Sequence, residues 1–176
     1  NLSDRGTAGN TGKSDILEIF SIHAQAASGS LEKSRILIDF PVADISTART
    51  AGTIAASGSV NFIFNLHNTP HGQTTPEDFY IDVNPLLTPW DEGFGLDMET
   101  YSDKGQSNWL SASTTSSWVT SGGDTPNYNN ISGESDSKSY HLTSSTQDVS
   151  IDVTDIVEEW LKSSVAASFY LDIASK

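Results

Sequence analysis

The chain contains no cysteine. Disulfides, thiolate metal sites and cysteine nucleophiles are therefore excluded, although extracellular proteins without disulfides are common among bacteria and phages and the compartment stays open. Basic residues are sparse: nine Lys and Arg, scattered along the sequence, against 23 Asp and Glu, for a net charge of −14. Nucleic acid is thus an unfavourable partner, because phosphate binding needs clustered cations. No apolar run approaches the roughly 18 residues of a membrane span. The sequence holds no G-x-S-x-G, no H-E-x-x-H and no phosphate-binding loop ending in Lys, so the common hydrolase, zinc-peptidase and nucleotide signatures are missing. No internal repeat is evident. The chain opens NLSDRGTAGNTGKSD without a Met and is expected to be part of a longer or processed polypeptide, so a missing leader carries no information.

Within its 176 residues the chain has enough length for one domain with a sizeable core. Its most informative stretch runs from Trp90 to Asp124 and holds three of the four tryptophans amid Gly, Ser, Thr, Asp and Asn. Long polar loops inside domains are uncommon. Three indoles can pin such a loop onto a core, so an ordered loop over 88–147 is expected.

The remainder reads as β. Residues 1–14 have no periodicity and form a flexible lead-in, and 15–176 form one β-sandwich domain. Strands are expected at 15–23, 34–42, 59–67, 78–86, 148–153 and 167–173, separated by polar connections as in antiparallel sandwiches. In 34–42, Ile36, Ile38 and Phe40 share one face. In 59–67, Val60, Phe62, Phe64 and Leu66 point inward, with Asn61, Asn65 and His67 outward. One short helix is expected over Thr154–Leu161, capped by Thr154, with Asp155 and Glu158 near its positive end and Ile156, Val157 and Trp160 on one apolar face. The nearly low-complexity stretch 121–147 reads as a surface excursion with Tyr128, Ile131, Tyr140 and Leu142 as sparse anchors.

Three motifs in order carry a family resemblance. SRILIDFPV followed by SVNFIFNLHN resembles the R-x-L-φ-x-F strand and its successor in DNRLRE-type β-sandwich domains. The run W-D-E-G at 90–93, N-W at 108–109, Trp118 and G-G-D at 122–124 is similar to the family's tryptophan-rich stretch. DVSIDVTDIVEEWL at 148–161 is similar to its strand-to-helix signature. The resemblance covers about residues 15–173. It implies an all-β, antiparallel, jelly-roll-like sandwich related to carbohydrate-binding modules. Within the family, the stretch from His67 to Asp103 is most similar to virion structural proteins of marine tailed phages. The implied role is a non-enzymatic tail, fibre or capsid-surface component that binds other virion proteins and copies of itself. The alternative is a secreted carbohydrate-binding module attached to a polysaccharide-active enzyme. One fold hosts many functions, so the resemblance speaks to fold before function.

Candidate chemistry is thin. Trp90, Trp109 and Trp118 either anchor the loop or present rings that stack on a glycan. If they anchor it, each buried indole N–H needs an acceptor, and Asp91 and Asp97 lie nearby in sequence. Asp91, Glu92, Asp97, Glu99 and Asp103 form the densest acidic run. A solvated loop is the first reading. A structural Ca²⁺ held by Asp91, Asp97 and Asp103 is the second, and a catalytic carboxylate pair the third. His67 and His71 lie close enough to share a metal, but with no evident third ligand a hydrogen-bonded turn is preferred. No other cofactor is indicated. Two Asn-x-Ser sequons, at Asn1 and Asn130, are of the kind a Ser-rich chain produces by chance.

Overall fold

A computed structural model describes residues 9–23, 28–29, 31–72, 77–86, 88–96, 106–124, 137–144, 146–163 and 168–173. Among these residues the chain forms eight strands in antiparallel sheets and two short helices, an all-β, sandwich-like fold. The strands are β1 Ser21–His23, β2 Leu31–Lys33, β3 Ile36–Asp39, β4 Ile63–Leu66, β5 Phe79–Leu86, β6 Lys138–Leu142, β7 Val149–Asp152 and β8 Ser168–Ile173. The helices are α1 Val42–Thr50 and α2 Thr154–Ser163. The fold divides into two compact units that interleave along the sequence: Asn1–Ile36 with Leu86–Pro126, and Leu37–Pro85 with Asn127–Lys176.

The second unit holds the sandwich. One sheet has the order β3-β8-β5-β6, and β4 pairs with β7 in another. Phe64 of β4 meets Phe169 of β8 with ring centroids 5.8 Å apart, so the two sheets face each other across an aromatic layer. Phe40, just past β3, lies edge-on to both at 6.0 and 5.4 Å, and Trp160 of α2 closes the cluster 4.6 Å from Phe169. Trp160 is fully buried. The alternation of 59–67 is observed: Phe64 is buried, Phe62 and Leu66 half-buried, and Asn61, Ile63 and Asn65 exposed. Ile36 is buried, while Ile38, Phe40 and Val60 are half-buried rather than sealed. In β8, Ser168 to Leu171 are all buried, and since successive side chains point to opposite faces, both faces of this strand are covered. Pro85 is tolerated in β5 because the pairing with β6 ends at Val83.

Four features correct the sequence reading. The strand expected over 15–23 shrinks to Ser21–His23, leaving Ile16 and Leu17 exposed. There Ser34 takes over the pairing: its hydroxyl donates to Glu18 O and accepts from Phe20 N, both at 2.8 Å. The strand β6 falls inside the stretch read as a surface excursion. Its alternation is hidden in sequence because both Lys138 and Tyr140, on one face with Leu142, carry polar tips. Thr154 does not cap α2. Asp152 Oδ1 accepts Thr154 N at 2.9 Å, Val153 O accepts Val157 N at 3.0 Å, and the Thr154 hydroxyl accepts Phe62 N at 2.8 Å, tying the helix start to the residue just before β4. Finally, there are two helices, not one. Helix α1 buries no residue, so it has no apolar period to read. It ends in a Schellman motif: Thr53 N donates to Ala48 O at 2.9 Å and Gly52 N to Arg49 O at 3.0 Å, with Gly52 at φ +75°.

Candidate interaction surface

In the first unit, residues 106–124 fold back on themselves. Asn108 starts the turn: its Oδ1 accepts the backbone N–H groups of Leu110 and Ser111 at 2.8 and 2.9 Å, as Asn side chains do in turns. Ser111 bridges Ser117 in antiparallel fashion, and Ala112 N donates to Ser116 O at 2.8 Å. Trp118 then folds inward. It is 6% exposed, and its indole N–H donates to Asn108 O at 2.7 Å. The acceptor is therefore a backbone carbonyl at the foot of the same turn, not Asp91. Asp97 lies outside the described residues.

Trp109 is half-buried beneath a second lock. The Arg35 guanidinium sits 5.1 Å from its ring centroid and donates to Gly122 O at 2.5 Å, while Gly122 N donates to Trp109 O at 2.6 Å. Gly122 has φ +89°, and a Cβ there would stand 2.8 Å from the indole ring. Both backbone angle and space demand glycine. Asp124 fixes the end of the loop, accepting Thr120 N at 2.7 Å and the Thr88 hydroxyl at 2.8 Å. Trp90 is half-buried too. Of the three candidate tryptophans, then, Trp118 anchors the loop from within and Trp109 packs under Arg35. Arg35 lies next to Ile36 at the start of β3, and alternation alone places it on the opposite face without indicating a partner. The G-G-D run at 122–124 was the signal in the sequence for this lock.

The same unit receives residues 9–13, from the stretch read as a flexible lead-in. Asn10 Oδ1 accepts Gly95 N at 3.0 Å, and Lys13 N donates to Gly95 O at 3.0 Å. Lys13 Nζ lies 3.5 Å from Glu92 and 5.7 Å from the ring centroid of Phe94. The approach is very close: a Cβ on Gly12 would lie 2.2 Å from Gly93 O, and one on Gly93 only 1.8 Å from Asn10 Oδ1.

These anchors hold apolar side chains outward. Leu110, next to Trp109, is 50% exposed, and Val119, next to Trp118, is 93% exposed. Phe94 and Leu96 are 62% and 54% exposed, and Ile16 and Leu17 are also exposed.

Of the three calcium candidates, only Asp91 falls among the described residues. Asp91 is exposed, with its backbone bonded to Ala112 O and Ser107 N, and Asp97 and Asp103 lie outside the described residues. Among the described residues no three His, Asp or Glu side chains converge as metal ligands. In the second unit, His67 Nδ1 lies 3.2 Å from Asp148 Oδ2, a contact with a residue next to β7 rather than within the His67–His71 turn. Asp148 is held below the usual carboxylate pKa, first by the Asn68 backbone N–H and then by His67. His141 Nε2 lies 2.5 Å from Asp78, and its ring stacks on Tyr80 at 4.4 Å. No helix among the described residues is long and apolar enough to cross a membrane. Comparison with protein-family models, curated proteins and solved structures returns no match.

Proposed function

We propose that this chain is a non-enzymatic structural module of a tailed-phage particle, a tail, fibre or capsid-surface component that works through protein–protein assembly. The observation that carries the assembly reading is the division of labour in the 106–124 loop. Trp118 turns inward to order the loop, and Leu110 and Val119 are displayed outward from it. A glycan platform needs the reverse, with flat aromatic faces in solvent. Ordered, exposed aliphatic side chains suit a protein partner, since exposed apolar groups in a fixed arrangement mark contact surfaces. The sequence resemblance supplies the virion setting, and an acidic, Ser- and Thr-rich surface suits a soluble particle component.

Mass spectrometry of purified particles, with copy number, tests the reading directly: the chain should be present in multiple copies, and its absence would sink the virion role. A second measurement separates assembly from sugar binding. Trp118→Ala should raise protease cleavage within 106–124 and leave glycan-array signals at background. Saccharide binding by the parent protein that vanishes in this variant while the loop stays protected favours the secreted carbohydrate-binding module instead.

A further inference from the structure

We infer that the surface built by segments 9–18 and 91–96 docks a partner protein whose contact face is apolar and flanked by lysine or arginine. The inference rests on the assembly reading above and names the partner's chemistry. The two segments abut through Asn10, Lys13, Gly93 and Gly95, and Ile16 and Leu17 follow Lys13 by three and four residues. Phe94 and Leu96 stand out from one segment, Ile16 and Leu17 from the other.

Charge selects the partner. Asp15 and Glu18 bracket the apolar pair of the first segment, and Asp91 and Glu92 precede that of the second. All four carboxylates are exposed. Lys13, between them, is engaged with Glu92 and the Phe94 ring. A second copy docking symmetrically would set these carboxylates against themselves, and like charges facing each other at an interface are unfavourable. Phosphate backbones and anionic lipid surfaces meet the same repulsion, reinforced by the net charge of −14. A surface with apolar side chains between basic ones satisfies both the exposed hydrocarbon and its acidic border.

The test uses the whole chain and two fluorescent synthetic peptides of equal length and charge, one alternating leucine with lysine, the other serine with lysine. At physiological ionic strength, anisotropy titration should show the leucine peptide bound about tenfold or more tightly. Phe94→Ser with Leu96→Ser should abolish that preference. Ile63→Ser, at an exposed apolar position of the other unit, should keep it. Asp15→Lys with Asp91→Lys should weaken the leucine peptide without touching any apolar side chain, so the test does not hang on one variant. Equal affinity for both peptides, or a preference that survives the Phe94 and Leu96 changes, overturns the inference. So does a dimer in sedimentation equilibrium that those two changes dissolve. A retained preference in a protein absent from particles defeats only the virion role, whereas presence in particles without any preference defeats only this docking surface.

Discussion

At the residue scale, Trp160 concentrates both the strength and a weakness of the core. Its ring is fully buried against Phe40 and Phe169, yet among the described residues its indole N–H has no hydrogen-bond partner. Trp160→Ala should cost about 3–5 kcal/mol, as large-to-small core changes do. Trp160→Phe should cost only about 1–2 kcal/mol, because it removes a buried donor whose lost hydration costs about 1–3 kcal/mol. Urea titration with unchanged slopes would show both values, and equal losses would mean that the indole N–H is satisfied in solution. Gly93 is a second single-residue control. Its Cβ would overlap the Asn10 side chain, so Gly93→Ala should cost about 1–3 kcal/mol as overpacking does. Cleavage in residues 9–13 should rise at the same time. Trp160 was legible in sequence, since Ile156, Val157 and Trp160 recur at helical spacing. Gly93 was not: nothing in W-D-E-G says that another backbone passes within contact distance.

At the element scale, an ion pair joins α1 to α2. Arg49 grips Glu158 through its two terminal guanidinium nitrogens, one contact at 2.8 Å, and donates from Nε to Ala55 O at 3.1 Å. The Arg49 hydrogen bonds hold the Glu158 carboxyl below its usual pKa, against the burial that would raise it. Asp152 is likewise lowered, first by the Thr154 hydroxyl and then by the Thr154 backbone N–H. A carboxyl with a depressed folded pKa stabilises the fold above its unfolded value and loses that contribution as pH falls through the folded one. Stability should therefore decline as pH drops below about 4.3. Glu158→Gln should flatten that decline and lower stability at neutral pH, and superimposable pH profiles would refute the linkage. Because α1 buries no side chain, Arg49→Met should speed amide exchange across 42–50 while β4 and β7 stay protected. Helix α2 could be read from its apolar face. Helix α1 offers only Pro41 before it, Asp44 and Arg49 at its dipole ends and Gly52 after it, and none of these cues repeats. The strands follow the same divide. Regular alternation exposed β4, whereas β2 is too short and too charged to show a period.

At the scale of the whole molecule, the all-β, antiparallel character was legible because it depends on many alternating positions at once. Within the Trp-rich stretch, the inward turn of Trp118 over residues 106–124 was legible too, because an indole is costly to expose. Which side chains the loop leaves in solvent was not legible, since Leu110 and Val119 differ from core residues only by facing the other way. The two units also have an order of assembly written into them. The chain alternates between them, and Ser168 Oγ donates to Asp39 Oδ1 at 2.8 Å across 129 residues. Closing so long a span is slow, because loop entropy must be lost before the contact rewards it. On the ribosome, the first unit has its full complement once residue 126 has emerged, while the sandwich still waits for β6, β7, α2 and β8. Chains stalled after residue 126 should therefore show protease protection around Trp109 and Trp118 before any around Phe64. Simultaneous protection of both only at full length would mean that they fold as one. If the order holds, the sandwich strands β3, β4 and β5 spend that interval without partners, and this is the window in which a chaperone or an early assembly partner has something to hold.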